Sequence, residues 1–214
     1  EDVLHALRLS DQNNYFLFDH IAAEERLQDN DWVAEVEIKK VLPNKVVVHI
    51  QERKAVAVVA LDELHLVDAE GRVFTKARNL KRLPSLTVTG LTSEQLKRAP
   101  DEFMSRVRRA LTIERLYRSS PIAQREPLDT INLHRSGRWE LMIGRTHVVL
   151  GADRIEQRLD YLKHIFDTLE SRKLDAEYIM IAPDLNRAIV REIPERSEGK
   201  ELTLKTENYG GEAR

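Results

Sequence analysis

The chain has 214 residues, with 34 Lys and Arg against 36 Asp and Glu, and 42% of it is hydrophobic. That length and apolar content suffice for one sizeable core or two modest ones, and the near-neutral balance gives no broad electrostatic ground for binding nucleic acid or an anionic membrane surface. Cysteine is absent, which excludes disulfides, thiolate metal sites and cysteine nucleophiles and leaves the redox compartment open.

The first residues read as a helical turn, with Val3, Leu4 and Leu7 as an apolar stripe. Asp19 is placed to N-cap a second helix, in which Ile21, Ala22 and Leu27 form the packing side and Glu24, Glu25 and Arg26 the wet side. From Trp32 the period changes to two, with Val36 and Ile38 alternating with Glu35, Glu37 and Lys39. Pro43-Asn44 supplies a turn, and the return strand sets Val46, Val48 and Ile50 on one face. The expectation is a hairpin covered by a helix, with Trp32, Val36, Ile38, Val46 and Val48 as its core.

A strand over 55–61 follows, then a hairpin of 64–67 with Val73-Phe74 around Asp68-Ala69-Glu70-Gly71. Lys76, Arg78, Lys81 and Arg82 lie in a basic loop, read as a solvated connection or, alternatively, a phosphate contact. Residues 83–89 read as a strand ended by Gly90. Helical spacing is clear over 101–117 (Phe103, Val107, Ala110, Leu111, Tyr117) and over 153–169 (Ile155, Leu159, Leu162, Phe166, Leu169). Between them three short strands, 130–133, 139–143 and 147–150, form a meander. A last hairpin pairs 178–182 with 187–193 across Pro183-Asp184-Leu185-Asn186. From Glu195 onward the composition is polar and too poor in apolar residues for a core, so a mobile tail is expected, with 202–204 pairing only transiently.

Chemistry for turnover is hard to find. The seven histidines, His5, His20, His49, His65, His134, His147 and His164, contain no H-E-x-x-H and no i, i+4 pair. No G-x-G-x-x-G, G-K-[ST] or G-x-S-x-G occurs. Glu24-Glu25 and Asp29 with Asp31 read as a wet helix face. Trp32 and Trp139 read as core or domain-junction anchors, the alternative being exposed hot spots. No catalytic residue, metal or cofactor is expected, and the protein is read as a binder and not an enzyme. The candidate binding element is the last strand, because an open antiparallel sheet leaves unpaired N–H and C=O groups at its edge. Its candidate residues are Arg187, Ala188, Ile189, Val190, Arg191 and Ile193. The alternative is that Arg187 and Arg191 merely guard that edge.

Several ordered motifs carry a family resemblance: N-Y-F at 14–16, Asp19, E-R-L at 25–27, W-V-A-E-V-E-I-K-K at 32–40, Pro43-Asn44, V-V-V-H-I at 46–50 and E-R-K-A-V-A at 52–57. They continue with V-D-A-E-G-R-V-F at 67–74, L-P-S-L at 83–86 with Gly90, R-W-E-L at 138–141, V-V-L-G at 148–151 and Arg158-Leu159. This order resembles the POTRA domain and following domain of the FtsQ/DivIB bacterial cell-division proteins. The resemblance implies an α+β chain: a POTRA-like module over 1–54 whose first strand is missing, a larger α+β domain over 55–194 with a mostly antiparallel sheet and two helices, and a tail over 195–214.

No apolar run approaches the roughly 20 residues that cross a bilayer, and the chain does not open on a signal peptide. The resemblance implies an extracytoplasmic part of a protein anchored upstream by one inner-membrane helix, acting at the septum as a non-catalytic scaffold. Its implied partners are an FtsB-like protein with FtsL, and other septal proteins through the POTRA-like module. The FtsB-like strand would add to the last strand by β-augmentation. Some relatives carry a tyrosine before the final turn and a tryptophan near the strand's end, where this chain has Ala182-Pro183 and Arg191-Glu192. A basic residue near the equivalent of Trp139 meets an acidic partner residue there, a role that falls to Arg138 or Arg135. The alternative is a POTRA module of an outer-membrane assembly or secretion protein.

Overall fold

A computed structural model describes residues 18–78, 83–185, 187–193 and 201–205, the last as backbone only. The expected first helix and residues 79–82 of the basic loop lie outside the described residues. The chain divides into two compact units, Glu1–Ala55 and Val56–Arg214.

In the first unit, α1 (His20–Gln28) is followed by the antiparallel strands β1 (Val33–Val41) and β2 (Lys45–Glu52). Asp19 caps α1, its carboxylate accepting from the N–H groups of Ile21 and Ala22 at 3.1 Å. Ala23, Leu27 and Ile38 are buried together, with Val36, Val46, Val48 and Ile50 packed against them. Glu24 is not merely part of a wet face: its carboxylate accepts the Ile38 N–H at 2.6 Å, closing a backbone donor on the side of β1 away from β2.

Trp32 departs from expectation, since it is 48% exposed. A bulge between Val33 and Glu35 shifts the alternation by one residue, so Val33 turns inward and its neighbour Trp32 outward. The Trp32 N–H is taken by Asn30 Oδ1 at 3.0 Å, and its carbonyl accepts from the Arg53 N–H at 2.7 Å.

The second unit is built on a ten-stranded sheet. Its strands are β3 (Ala57–Ala60), β4 (Leu64–Val67), β5 (Val73–Lys76), β6 (Thr87–Thr89), β7 (Leu128–Leu133), β8 (Trp139–Ile143), β9 (Thr146–Gly151), β10 (Ala176–Ile181), β11 (Arg187–Glu192) and β12 (Glu201–Lys205). They lie in the order β12-β11-β10-β9-β8-β7-β6-β3-β4-β5. Pairing is antiparallel except at β3/β6, β6/β7 and β9/β10. Two of those parallel joints are bridged by the long helices, α3 (Pro100–Arg118) between β6 and β7 and α4 (Ile155–Ser171) between β9 and β10.

Strands β6 and β9 run the same way, and each crossover steps in the same direction across the sheet. Right-handed connections therefore deliver both helices to one face. Phe103, Val107, Ile113 and Tyr117 of α3 and Tyr161, Leu162 and Ile165 of α4 are buried there with Ile131, Leu141, Val148, Ile179 and Val190 of the strands. Trp139 joins this core at 3% exposure, the anchor role expected of it. A short helix, α2 (Ser93–Arg98), precedes α3 and was not foreseen, although the reciprocal hydrogen bonds of Thr92 and Gln95 make a capping box at its start.

The motif at 67–74 has a structural explanation. Buried Asp68 accepts the N–H groups of Glu70 and Arg72 at 3.1 and 2.8 Å, folding the β4–β5 turn tightly. Gly71 sits at φ +80°, and a Cβ there would fall 2.9 Å from Arg108 Cγ and 3.0 Å from the Met104 carbonyl. The turn thus seats on α3 through the missing side chain.

Two expectations about the C-terminus need correction. Residues 201–205 form a strand in register with β11, and β11 is consequently not an edge: it pairs with β10 on one side and β12 on the other. The reason is the alternation of Glu201-Leu202-Thr203-Leu204, which the register sets opposite Arg191, Val190, Ile189 and Ala188.

The inward and outward roles of Ile38 and Trp32 separate in a stability measurement. Ile38→Ala, at a site 4% exposed, is expected to destabilise the first unit by about 2–4 kcal/mol. Trp32→Ala is expected to cost under about 1 kcal/mol. Urea denaturation of the two variants followed by circular dichroism checks the order.

Candidate functional site

The expected partner-binding residues do not form one exposed strip. On β11, Ala188 and Val190 are completely buried on the helix face, Ile189 is half-buried, and Arg187 and Arg191 are exposed. The Ile193 N–H donates to the Asp175 carbonyl at 2.9 Å, so this residue continues the pairing with β10. Arg138 stands at the start of β8, three strands from β11, a separation of roughly 14 Å at ordinary strand spacing.

A lattice of polar side chains links these places on the sheet face opposite α3 and α4. Glu140 is its centre: Arg138 Nε donates to Oε1 at 2.9 Å, Asn132 Nδ2 donates to Oε2 at 3.0 Å, and His147 Nε2 lies 3.5 Å from Oε2. Asn132 in turn accepts from the Thr89 hydroxyl at 2.9 Å. In the other direction the His147 ring meets Tyr178 edge-on with centroids 5.5 Å apart, and the Arg191 guanidinium lies over the same tyrosine at 5.5 Å. Side chains from β6 to β11 are thereby connected. Burial works to raise the Glu140 carboxyl, but the hydrogen bonds from Arg138 and Asn132, with the charges of Arg138 and His147, outweigh it and hold Glu140 below the ordinary carboxylate range. Sequence reasoning singled out Arg138 but missed Glu140, His147 and Tyr178, which only the cross-strand register brings together.

Arg158 was seen only as half of the Arg158-Leu159 motif, and the structure shows what it does. Only 2% exposed, its guanidinium donates to the carbonyls of Leu150 at 3.0 Å, Asp153 at 2.8 Å, and Ile181, Ala182 and Pro183 at 3.4 Å each, and to Asp153 Oδ1 at 3.0 Å. It therefore ties the ends of β9 and β10 and the β10–β11 turn to the first turn of α4. Gly151, from the V-V-L-G motif, makes room for it: at φ +108° a Cβ would lie 2.7 Å from Arg158 Cζ. The adjacent Arg154 also donates to the Pro183 carbonyl. Two motifs separated in sequence are one device that positions the β10–β11 hairpin.

Among the described residues, no group of three or more His, Asp or Glu side chains is arranged to hold a metal. None of the described helices is long and apolar enough to cross a membrane.

With the two-unit organisation and this site in place, comparison with known proteins is decisive. Residues 1–53 match the family model for the FtsQ-type POTRA domain, and residues 55–181 match that for the C-terminal region of the cell division protein FtsQ/DivIB. The chain belongs to the FtsQ/DivIB family. It is 25% identical over 181 residues to the cell division protein FtsQ of Syntrophotalea carbinolica, covering 84% of this chain and 64% of that protein. To FtsQ of Myxococcus fulvus it is 29% identical over 178 residues, covering 83% and 63%. To DivIB of Clostridium tetani it is 29% identical over 92 residues, covering 42% and 35%. The chain thus spans a little under two thirds of the length of these FtsQ relatives from S. carbinolica and M. fulvus.

Two measurements probe the site. Arg158→Lys replaces a planar fork with a point charge that cannot reach the same carbonyls, and an expected loss of about 2–3 kcal/mol in denaturant unfolding of the second unit follows from the unsatisfied groups. The lowered carboxyl of Glu140 contributes stability above its unfolded value, about 4.3, and loses it as pH falls through the folded value below that. The stability difference between wild type and Glu140→Gln is therefore expected to be level above about pH 5 and to shrink toward pH 3, as read by melting curves across that range.

Proposed function

We propose that this chain is the extracytoplasmic part of a non-catalytic divisome scaffold, held upstream by an inner-membrane anchor and acting at the septum. In this reading the β11/β12 end of the large sheet takes a strand of an FtsB-like partner by β-augmentation, FtsL accompanies that partner, and the POTRA unit contacts other septal proteins. The observation that supports it most is that the large sheet ends, beyond β11, in a single short strand of five residues. Membership of a cell-division family names the process. The alternative of a POTRA module from an outer-membrane assembly or secretion protein is disfavoured, because the family match runs on through 55–181.

Hydrogen exchange during titration with the extracytoplasmic segment of the FtsB-like protein from the same organism tests this reading. Saturable binding should slow exchange of the backbone amides in β11 or β12. Protection confined to β5 or to the POTRA unit would move the partner elsewhere.

A further inference from the structure

The chain carries its own strand, β12, on the flank of β11, at the sheet end to which the preceding reading assigns the partner. The Ala182 N–H donates to the Arg187 carbonyl, and with the β10–β11 register this sets Arg187, Ile189 and Arg191 as the hydrogen-bonded positions facing β10. By alternation, Ala188 and Val190 direct their backbone N–H and C=O groups to the opposite side. That side is met by Leu204 and Leu202 of β12. The groups a partner strand would use are therefore already used within the molecule.

The occupant is a mixed fit. Its register places Glu201 opposite Arg191, an attractive pairing, and Leu202 and Leu204 opposite the buried positions Val190 and Ala188. At the other end it places Lys205 opposite Arg187, and like charges directly across a ladder are destabilising. The strand is also short, five residues, and among the described residues β12 pairs with the sheet only through β11.

We propose that Glu201–Lys205 is a displaceable self-strand: it holds the augmentation seat on β11, and the partner strand binds by replacing it and not by adding outside it. The proposal rests on the β-augmentation reading given above and adds both regulation and recognition chemistry. The favoured incoming strand runs antiparallel to β11, with an acidic residue opposite Arg191, aliphatic residues opposite Val190 and Ala188, and an acidic or neutral residue opposite Arg187. The last position is where it outcompetes the self-strand. Because only the open fraction of the seat is available, the self-strand weakens the partner's apparent affinity by that fraction, about tenfold for a seat open one tenth of the time.

Proline substitution within β12 separates the two geometries, since Pro removes a ladder donor only where the N–H is used. By the register, Leu202 sends its N–H to β11 and Thr203 sends its N–H outward. Full-length Leu202→Pro, Thr203→Pro and Lys205→Glu proteins are titrated with two probes. One is the FtsB-like extracytoplasmic segment, and the other is a synthetic peptide copying residues 199–207 with its Lys205 position changed to Glu. The expected result is binding of both probes tightened about tenfold by Leu202→Pro, unchanged by Thr203→Pro and weakened by Lys205→Glu. Loss of binding in Thr203→Pro together with weakened binding in Leu202→Pro would place the partner outside β12 and overturn the self-strand, while leaving augmentation at this end intact. If the peptide fills the seat opened by Leu202→Pro and the FtsB-like segment does not bind in any variant, the self-strand stands and the partner assignment fails. Failure of the peptide to bind the opened seat overturns the proposal.

Discussion

The buried guanidinium of Arg158 is the contact on which the β10–β11 end of this sheet depends. It reaches carbonyls at the ends of β9 and β10 and in the turn that leads to β11, all from the first turn of α4. A charged group this deep in the protein is tolerable only with its donors satisfied, and here the satisfying acceptors belong to segments that no regular ladder would hold together at their ends. Strand β11 leaves from the turn so held, and among the described residues β12 pairs only with β11. The position of the outermost strands is thus set by a side chain in the domain's interior.

The large sheet has two chemically different faces, and its topology explains why. Two of the three parallel joints are bridged by the long helices, and their shared handedness and direction put α3 and α4 on one side, which becomes the apolar core. The opposite side is left to the alternate residues of the same strands, where Asn132, Glu140, His147, Tyr178 and Arg191 interact from strand to strand. Any force on β11 is therefore felt by two systems, a packed apolar layer beneath and a polar lattice above.

In the self-strand proposal, the terminal strand of the sheet combines regulation and recognition in one ladder. A β-edge that is always open is an aggregation risk, and an edge closed by a strong strand is useless for binding. A five-residue strand with a favourable pair at Arg191, two aliphatic positions and an unfavourable pair at Arg187 lies between these limits. Pairing with β12 occupies the flank of Ala188 and Val190, and in the proposal a better-matched strand displaces it.

Much of this was legible in the residues alone. The two long helices of the second unit, the meander, the last hairpin and the Asp19 cap follow from periodicity and turn chemistry, which are local properties of the chain. The ordered motifs pointed to the FtsQ/DivIB family for the same reason, since each is a short run of adjacent residues. What the tertiary structure decided is whatever depends on register or on long-range contact. A single bulge turned Trp32 outward and Val33 inward, because side-chain direction in a strand reverses with a one-residue slip. Arg158 and Gly151 looked like parts of unrelated motifs until folding set the guanidinium in the space that a side chain at Gly151 would fill, and the Glu140 lattice needed the six strands from β6 to β11 in alignment before it existed. The status of β11 was settled by residues 201–205, whose short alternating pattern becomes a strand only beside the sheet that it completes.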